Sequence, residues 1–313
     1  MNFFSSSVFL EAAAEAFFAG QRHRIEAIDV EGRVFRVLVV GRSQVVERLP
    51  FLDFLEPISG VGPARALRFL PRVALESVPV DVWRAERWEE RAFASPWVDW
   101  SRVSSWESFA EQARQRLSVD VARKRRKLSR EVGAVRFAPD APAVELLPTL
   151  MEWKSAQYRA AGLPDLFRDP AVRRLFFVLA HKGALQLSAL LAGGRPVALH
   201  AGVVWEGRYL YWLPAYDATL SRSSPGTLHL LDLLQHSFDE GHAAFDFLLG
   251  DEAYKWIYAT DVTCVTPLGR PSLGATVYGQ IRERLMHEVR RQPRVHEALQ
   301  AAKRLVTERG WLR

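Results

Sequence analysis

Apolar residues in the second half of the chain recur at two spacings, one of about 3.6 residues and one of about 2. Three segments with the first spacing are predicted helices: Ala143–Ala161, Pro170–Lys182 and about Thr227–Glu240. Three successive segments, separated by short glycine turns, predict an antiparallel meander: Ala184–Leu191, Pro196–Trp205 and Arg208–Ala215. Another strand, Ala243–Leu249, follows the last helix, so the strands on either side of that helix are expected to be parallel.

The first half alternates in the same way. A helix is predicted at Val8–Ala19 and a long one from about Trp106 to Arg130. Strand patterns occur in four segments: His23–Asp29, Arg33–Val40, Ala66–Leu70 and Ala74–Pro79. Five of the ten tryptophans lie between Trp83 and Trp106, which indicates packing against the second half. We therefore expect two α/β lobes, joined through the long helix.

The length of 313 residues exceeds the usual domain size of about 100–200 residues. We predict a first lobe at 1–130, a second at 131–275, and two arginine-rich helices at 276–313. An apolar share of 49% and a charged share of 25% exclude a disordered or fibrous chain. The single cysteine, Cys264, excludes a disulfide framework and a cysteine-based zinc cluster. No apolar run reaches the about 18 residues of a membrane span, and the opening residues lack a basic signal segment, so we expect the cytoplasm.

The formal net charge of +6 favours anionic partners without choosing among nucleic acid, anionic lipid and phosphorylated small molecules. Basic residues cluster at Arg123–Lys127 and in the tail. The tail cluster comprises Arg282, Arg284, Arg290, Arg291 and Arg294. These helices are candidates for binding tRNA or an anionic membrane surface. A solvated helix end and a helix packed on the body are the plainer alternatives. The sequence leaves the oligomeric state open.

A first candidate site is the turn SRSSPGT, which stands between a strand and a helix. Free backbone N–H groups and the helix dipole favour an anion there. The candidate cofactor-binding residues are Arg222, Ser223, Ser224, Gly226 and Thr227. An ordinary turn, with a serine cap and Pro225 near the first helical position, is the alternative.

A second candidate site follows the strand Ala243–Leu249, because ligands usually bind at the carboxyl ends of strands in open sheets. Here Asp251 and Lys255 are catalytic candidates, and Asp246 and Tyr254 are substrate-binding candidates. The alternative is a helix start that Asp251 caps.

His200 lies within a predicted strand and is a third catalytic candidate. Tyr211, Trp212 and Tyr216 on the next strand are candidates for lining a substrate pocket. A hydrogen-bonded core histidine and core aromatic residues are the alternatives. No GxSxG, HExxH or CxxC motif occurs, so nothing supports a serine hydrolase or a zinc protease, and no metal is expected.

The segments GRPVALHAGVVWEGRYLYWLPAYD, SPGTLHLLDLL and FDFLLGDEAYK, in this order, resemble the GNAT domain of the FemAB-like acyltransferases, in particular the CelD-like branch. The resemblance covers roughly Leu147–Tyr258. It implies a mixed α/β tandem GNAT fold with a degenerate N-terminal lobe and a functional C-terminal lobe. It also implies that backbone amides at Ser224–Thr227 meet the pyrophosphate of an acyl-CoA. The turn departs from the usual Q/R-x-x-G-x-G/A pattern, and some relatives use aminoacyl-tRNA as the donor.

The activity that the resemblance implies is transfer of an acyl group from acyl-CoA to the amine of a small molecule, amino sugar or amino acid, by direct attack. A backbone N–H on the strand Arg208–Ala215 would stabilise the oxyanion, and His200 or Asp251 would take the proton. Lys255 would hold an acidic group of the acceptor or steady the leaving thiolate. The alternatives are an aminoacyl-tRNA-dependent transferase and a non-catalytic protein that binds an envelope or polysaccharide-assembly partner.

Overall fold

The computed structural model describes residues 2–117 and 120–270, which form helices and strands arranged around two sheets. The α-helices are α1 Ser7–Phe17, α2 Val80–Ala85, α3 Trp106–Arg116, α4 Val121–Val132, α5 Ala143–Ala160, α6 Pro170–His181, α7 Pro225–Asp239 and α8 Lys255–Tyr258. The strands are β1 His23–Val30, β2 Arg33–Val40, β3 Gln44–Val45, β4 Arg65–Ala66, β5 Phe69–Pro79, β6 Phe93–Asp99, β7 Val135–Ala138, β8 Gln186–Ala192, β9 Arg195–Trp205, β10 Arg208–Tyr216, β11 Ala244–Asp246 and β12 Asp261–Gly269. The predicted mixed α/β fold class is confirmed.

The larger sheet has eight strands in the order β5-β12-β6-β11-β10-β9-β8-β7. Strands β8, β9 and β10 form the predicted antiparallel meander. Helix α7 then leads into β11, which pairs with β10 in parallel. The other pairs in this sheet are antiparallel. Among the described strands of this sheet, the β10-α7-β11 crossover is therefore the one place where two carboxyl strand ends lie side by side.

The first half supplies a small sheet of its own and part of the large one. The small sheet has the order β3-β2-β1-β4, and α1 packs against β1, β2 and α6. Strands β5 and β6 belong to the large sheet, where β6 lies between β11 and β12. The tryptophan-rich segment thus packs against the second half by entering its sheet. Strands from both sides of the predicted boundary at residue 130 therefore share one sheet.

The prediction is wrong for the long helix and for the two strand segments around Pro71. The expected helix is two helices, α3 and α4, and the Asp120 side chain caps the second by accepting the Arg123 N–H at 2.9 Å. The run of polar residues hid this N-cap, which starts a new helix. The second of these segments and the end of the first form the single strand β5, whereas Ala66 belongs to β4. Proline is tolerated within it because β5 is an edge strand.

Aromatic side chains of the first half pack directly on the second half. The rings of Phe3, Phe4 and Phe9 lie 5.9, 5.6 and 6.2 Å from the ring of Trp212. Phe176 on α6 lies 5.0 Å from the same ring. Burial of each such side chain stabilises the fold by about 1.5–3 kcal/mol, so the two halves share one core.

Two predictions concern membrane spans and basic surfaces. None of the helices within 2–117 and 120–270 is long and apolar enough to cross a membrane. The basic run Arg123–Lys127 lies in α4, which packs against α7. The arginine-rich helices predicted at 276–313 lie outside the described residues.

Candidate functional site

The parallel strands β10 and β11 separate soon after they pair. Their pairing ends at Leu210 and Asp246, whereas β10 continues to Tyr216 beside β9. The register of β10 against β9 shifts between Leu210 and Leu213, which marks a β-bulge. Beyond Leu210 the strand β10 is no longer paired with β11, and we call the region between the two strand ends, beside Tyr211–Tyr216, the β10–β11 cleft. Ligands of open sheets bind at such a place.

His200 holds the bulge from inside the sheet. Its Nε2 accepts the backbone N–H of Trp212 at 3.1 Å, and its Nδ1 lies 3.3 Å from the Tyr209 hydroxyl. Because Nε2 accepts, the neutral ring carries its proton on Nδ1. The side chain is 0% exposed, and burial, with a smaller effect of His229, keeps the pKa of His200 well below its ordinary value. His200 therefore stays neutral and positions β10, which fits the core alternative better than a catalytic one.

Gly202 provides the space that the imidazole occupies. A Cβ at this position would collide with Cε1 of His200 and lie 2.7 Å from the carbonyl oxygen of Leu210. Both obstacles are held in place, the ring by its hydrogen bonds and the oxygen by the strand. A glycine two residues after the histidine thus allows the ring to reach the bulge.

The loop that follows β11 is held by charged side chains from both halves. Asp246 accepts the N–H of Leu248 at 2.8 Å, and Asp53 accepts the N–H of Leu249 at 3.1 Å. Lys255 Nζ donates to the carbonyls of the same two leucines, at 3.1 Å each. Leu248 has φ +60°, a left-handed conformation that a leucine rarely adopts. Such strain persists where the surroundings over-determine the backbone, as these four bonds do.

Lys255, a catalytic candidate from the sequence, is a buried side chain. It is 4% exposed and pairs with Glu252 Oε2 at 2.9 Å. Gly250, with φ +138°, leaves room for this pair, since a Cβ there would collide with the Glu252 carboxylate. Asp251 lies elsewhere, in a pocket with Trp256. The carboxylate that reaches Lys255 is thus Glu252, which sequence reasoning did not select.

A second ammonium group, that of Lys154 on α5, reaches the end of β10. Its Nζ donates to the carbonyl of Pro214 at 3.0 Å and lies 5.6 Å from the ring centroid of Tyr158. Burial lowers the pKa of Lys154 to about 8, with Glu252 raising it and Lys255 lowering it further. Lys154 is therefore protonated at neutral pH and able to give up its proton slightly above it.

The first half contributes carboxylates to the same region. Burial raises the pKa of Asp53 from 3.8 to about 6, although the hydrogen bond from Leu249 lowers it. Burial also raises the pKa of Glu56, which interacts electrostatically with Arg208 and Asp246. Arg208 and Asp246 form an ion pair at 3.0 Å, which gives Asp246 a structural role. Asp53 is ionised at neutral pH and close enough to its pKa to accept a proton.

The start of α7 has features of an anion site. Ser224 adopts a left-handed conformation (φ +50°), and no side chain caps the helix. The first N–H groups of the helix, at Gly226 and Thr227, therefore lack a side-chain cap. Gly226 faces the ring of Tyr216, and a Cβ would lie 3.1 Å from its Cδ1. Tyr216 therefore lies beside the N–H groups of this turn that no side chain caps.

The other residues of the turn are tied to α4. Ser223 is buried, and its hydroxyl donates to Glu131 at 3.0 Å. The backbone carbonyl of Arg222 accepts a hydrogen bond from Lys124. Ser223 therefore fixes the turn, while Arg222 and Lys124 bring positive charge to it.

The remaining aromatic candidates belong to the core. Tyr211 stacks on His200 with ring centroids 4.5 Å apart, and burial raises the pKa of Tyr211 well above its ordinary value. The ring of Tyr254 lies 6.5 Å from that of Tyr211, and burial raises its pKa as well. Trp212 lies among phenylalanine rings and is 9% exposed. These positions favour a structural role for the three side chains.

Four side chains near the cleft form what we call the charged cluster: Asp53, Lys154, Glu252 and Lys255. Sequence reasoning found Lys255 and missed the others. A signal for Lys154 existed, because only six of the 42 basic residues are lysines. None existed for Asp53, which lies 196 residues from Leu249. The cluster is suited to proton transfer, with Asp53 as acceptor and Lys154 as donor. Across the described part of the chain, no group of three or more His, Cys, Asp or Glu side chains is placed to hold a metal ion.

Comparisons with known proteins agree with this geometry. Residues 112–256 match the family model of the acetyltransferase (GNAT) domain. No curated protein sequence matches the chain. The crystal structure of FemX aligns with 85% of this chain and 91% of its own, at 9% identity and a TM-score of 0.51. L-PGS from Bacillus licheniformis aligns with 92% of this chain and 98% of its own, at 12% identity and a TM-score of 0.46. A tandem GNAT protein from the clavulanic acid biosynthesis pathway aligns with 86% and 96%, at 13% identity and a TM-score of 0.38.

The matched region runs from α3 to the start of α8 and so includes the cleft, the bulge and the start of α7. The likeness to FemX shows a common fold that extends over both halves. The predicted resemblance to the FemAB-like group fits this fold. Residues 112–256 therefore form a GNAT-type acyltransferase domain within this chain.

Proposed function

We propose that this acyltransferase uses acyl-CoA as the donor and the amine of a small molecule, amino sugar or amino acid as the acceptor. The observation that carries the proposal is the β10–β11 cleft, which opens where α7 begins without a side-chain cap. The thioester arm would lie along the backbone of Tyr211–Tyr216. Its pyrophosphate would meet the N-terminus of α7, where N–H groups and the helix dipole favour anions.

The reaction requires one bond exchange and two proton movements. The amine nitrogen attacks the thioester carbonyl carbon, the C–S bond breaks, and the nitrogen loses a proton while the thiolate gains one. Asp53 is the acceptor of the first proton and Lys154 the source of the second, because their pKa values of about 6 and about 8 lie on either side of neutrality. A backbone N–H in the bulge would stabilise the oxyanion. Pro214 has no N–H, so that donor must be another residue of Tyr211–Tyr216.

This assignment changes the roles predicted for His200, Asp251 and Lys255. His200 shapes the bulge, Lys255 holds the loop after β11, and Asp251 faces a separate pocket. The proton acceptor moves to the first half of the chain, to Asp53. The acceptor amine would therefore bind where the first half meets the carboxyl ends of β10 and β11.

A second candidate donor is an aminoacyl-tRNA. The exposed arginines of α4 favour it, because Arg123, Arg126 and Arg130 lie on the helix that packs against α7. Such a surface suits an RNA backbone as well as the phosphates of CoA. RNase would abolish transfer from aminoacyl-tRNA and would leave transfer from acyl-CoA unchanged.

The test is release of free thiol from acyl-CoA in the presence of a panel of amines. The proposal predicts amine-dependent release that RNase leaves unchanged. Gly226→Val should weaken CoA binding in calorimetry by roughly tenfold or more, because the new Cβ would lie 3.1 Å from Cδ1 of Tyr216 and crowd the turn, while the protein should still fold.

Gly62→Val is the matched control, since a Cβ at Gly62 has nothing within 4 Å. If no amine causes thiol release and the protein instead transfers an aminoacyl group in a reaction that RNase abolishes, the donor is aminoacyl-tRNA and not acyl-CoA. Unchanged CoA affinity in Gly226→Val would remove the start of α7 from the donor site.

A further inference from the structure

A pocket of about 460 Å³ lies on the outer side of the segment that carries the Glu252–Lys255 pair. Its aromatic lining comes from Trp83 on α2 and Trp256 on α8, and three charged residues complete it: Arg84, Glu89 and Asp251. A volume of this size suits a small organic ligand. The acyl-transfer chemistry proposed above uses none of these side chains.

The indole rings of the pocket are held in fixed positions. Trp83 is 3% exposed and lies between Trp256, at 6.1 Å and 40°, and Trp88, at 6.4 Å and 19°. Trp256 Nε1 donates to the backbone carbonyl of Asp251 at 3.4 Å. Rigid aromatic surfaces bind ligands at little entropic cost, so this wall is preorganised.

The charges around the pocket restrict the ligand. The guanidinium of Arg84 already lies 5.9 Å from the Trp256 ring centroid, and that of Arg91 lies 4.3 Å from the Trp88 centroid. A cationic ligand would therefore meet positive charge at the aromatic faces. A phosphate or carboxylate would meet the carboxylates of Glu89 and Asp251. A purely apolar ligand would desolvate these charged groups and offer them no hydrogen bond of its own.

We propose that this pocket binds a neutral saccharide. One face of a pyranose ring is apolar and would lie on Trp256, while its hydroxyl groups would donate to Glu89 and Asp251 and accept from Arg84. The ligand would contact the segment Asp251–Trp256, whose other side chains, Glu252 and Lys255, hold the loop after β11. The saccharide site is distinct from the β10–β11 cleft, so it does not depend on the proposed donor or acceptor.

Saturation-transfer NMR on the full chain tests the proposal without any activity measurement. The probes are cellobiose, maltose and di-N-acetylchitobiose, with glucose 6-phosphate as the anionic comparison. We expect saturation transfer to the ring protons of at least one neutral disaccharide and none to glucose 6-phosphate. Trp256→Ala should weaken this binding by about tenfold or more, because an aromatic anchor is lost.

Trp106→Ala is the matched control, since Trp106 packs on Phe109 and Phe238 away from the pocket. If Trp256→Ala unfolds, Asp251→Asn, which keeps the shape of the side chain, should still weaken binding. The proposal is overturned if no neutral disaccharide binds, if binding survives both pocket substitutions unchanged, or if the phosphorylated sugar binds as tightly as the neutral ones.

Discussion

Replacing Lys255 by alanine removes the ammonium group that holds the loop after β11. Its Nζ donates to the carbonyls of Leu248 and Leu249 and is paired with Glu252. The sequence places this lysine among catalytic candidates, so that its loss would reduce turnover and leave folding intact. The buried geometry predicts that Lys255→Ala first reduces stability.

The size of the effect follows from the groups left without partners. A buried acceptor that loses its donor costs about 1–3 kcal/mol. The Leu248 carbonyl is in a buried bond and that of Leu249 in a partly buried one, whereas the Glu252 side chain is 50% exposed and returns to water. We therefore expect a loss of about 2–4 kcal/mol, with little from the ion pair itself. For a chain of this size the Tm should fall by roughly 5–15 °C.

Scanning calorimetry measures this loss directly. Lys182→Ala is the matched control, because Lys182 pairs with Glu15 at 3.6 Å on the surface, and its Tm should change by less than about 2 °C. Lys255→Met keeps the side-chain stem without the charge and should show most of the loss. A Tm for Lys255→Ala within about 2 °C of the parent would refute the reasoning. Lost turnover in such a stable variant would restore Lys255 to the reaction.

Three further predictions concern the bulge and the two titrating groups. Gly202→Ala should lower the free energy of unfolding in urea by about 1–3 kcal/mol, because the new Cβ collides with the His200 ring. Gly62→Ala should lower it less, and equal losses in the two variants would contradict the packing argument. The pKa of Asp53 is 3.8 in the unfolded chain and about 6 in the folded protein. As the pH rises from about 4 to about 6, the unfolded chain releases this proton first, so the contribution of Asp53 to the free energy of unfolding falls. Unfolding of Asp53→Asn should lack that slope, and an unchanged slope would show that another group causes it. Turnover should fall as the pH rises through about 8, because Lys154 loses its proton there. The variant Lys154→Met should be slow and should lack this decline. A variant whose pH profile is identical to the parent's would show that Lys154 takes no part in proton transfer.

Local patterns were sufficient for the elements that form the cleft. The meander β8–β10, the parallel crossover and the turn before α7 follow from spacing and from glycine and proline positions within a few residues. The helix break at Asp120 depends on one cap inside a polar run, and the continuity of β5 through Pro71 depends on its edge position in the sheet. Neither condition is visible in hydrophobic periodicity.

The candidate site was predicted less well than the fold, because its contacts join distant parts of the chain. Asp53 reaches Leu249 from the first half, and Lys154 reaches Pro214 from α5. His200 was found by its polarity in an apolar strand, but its role depends on the bulge and on Gly202. Residue type thus identified candidates, and only the three-dimensional contacts separated positioning residues from those able to move protons.

The position of β6 in the large sheet determines when during synthesis that sheet can form. Strand β6 leaves the ribosome long before β11 and β12, yet in the folded protein it lies between them. Until those strands are synthesised, β6 has no partners for its backbone in the large sheet, and pairing it requires closure of a long loop. A fragment that begins at residue 131 would instead expose the edges of β11 and β12, which are templates for aggregation. The large sheet can therefore be completed only after both halves of the chain have been synthesised, because its strand order interleaves β5 and β6 with β11 and β12.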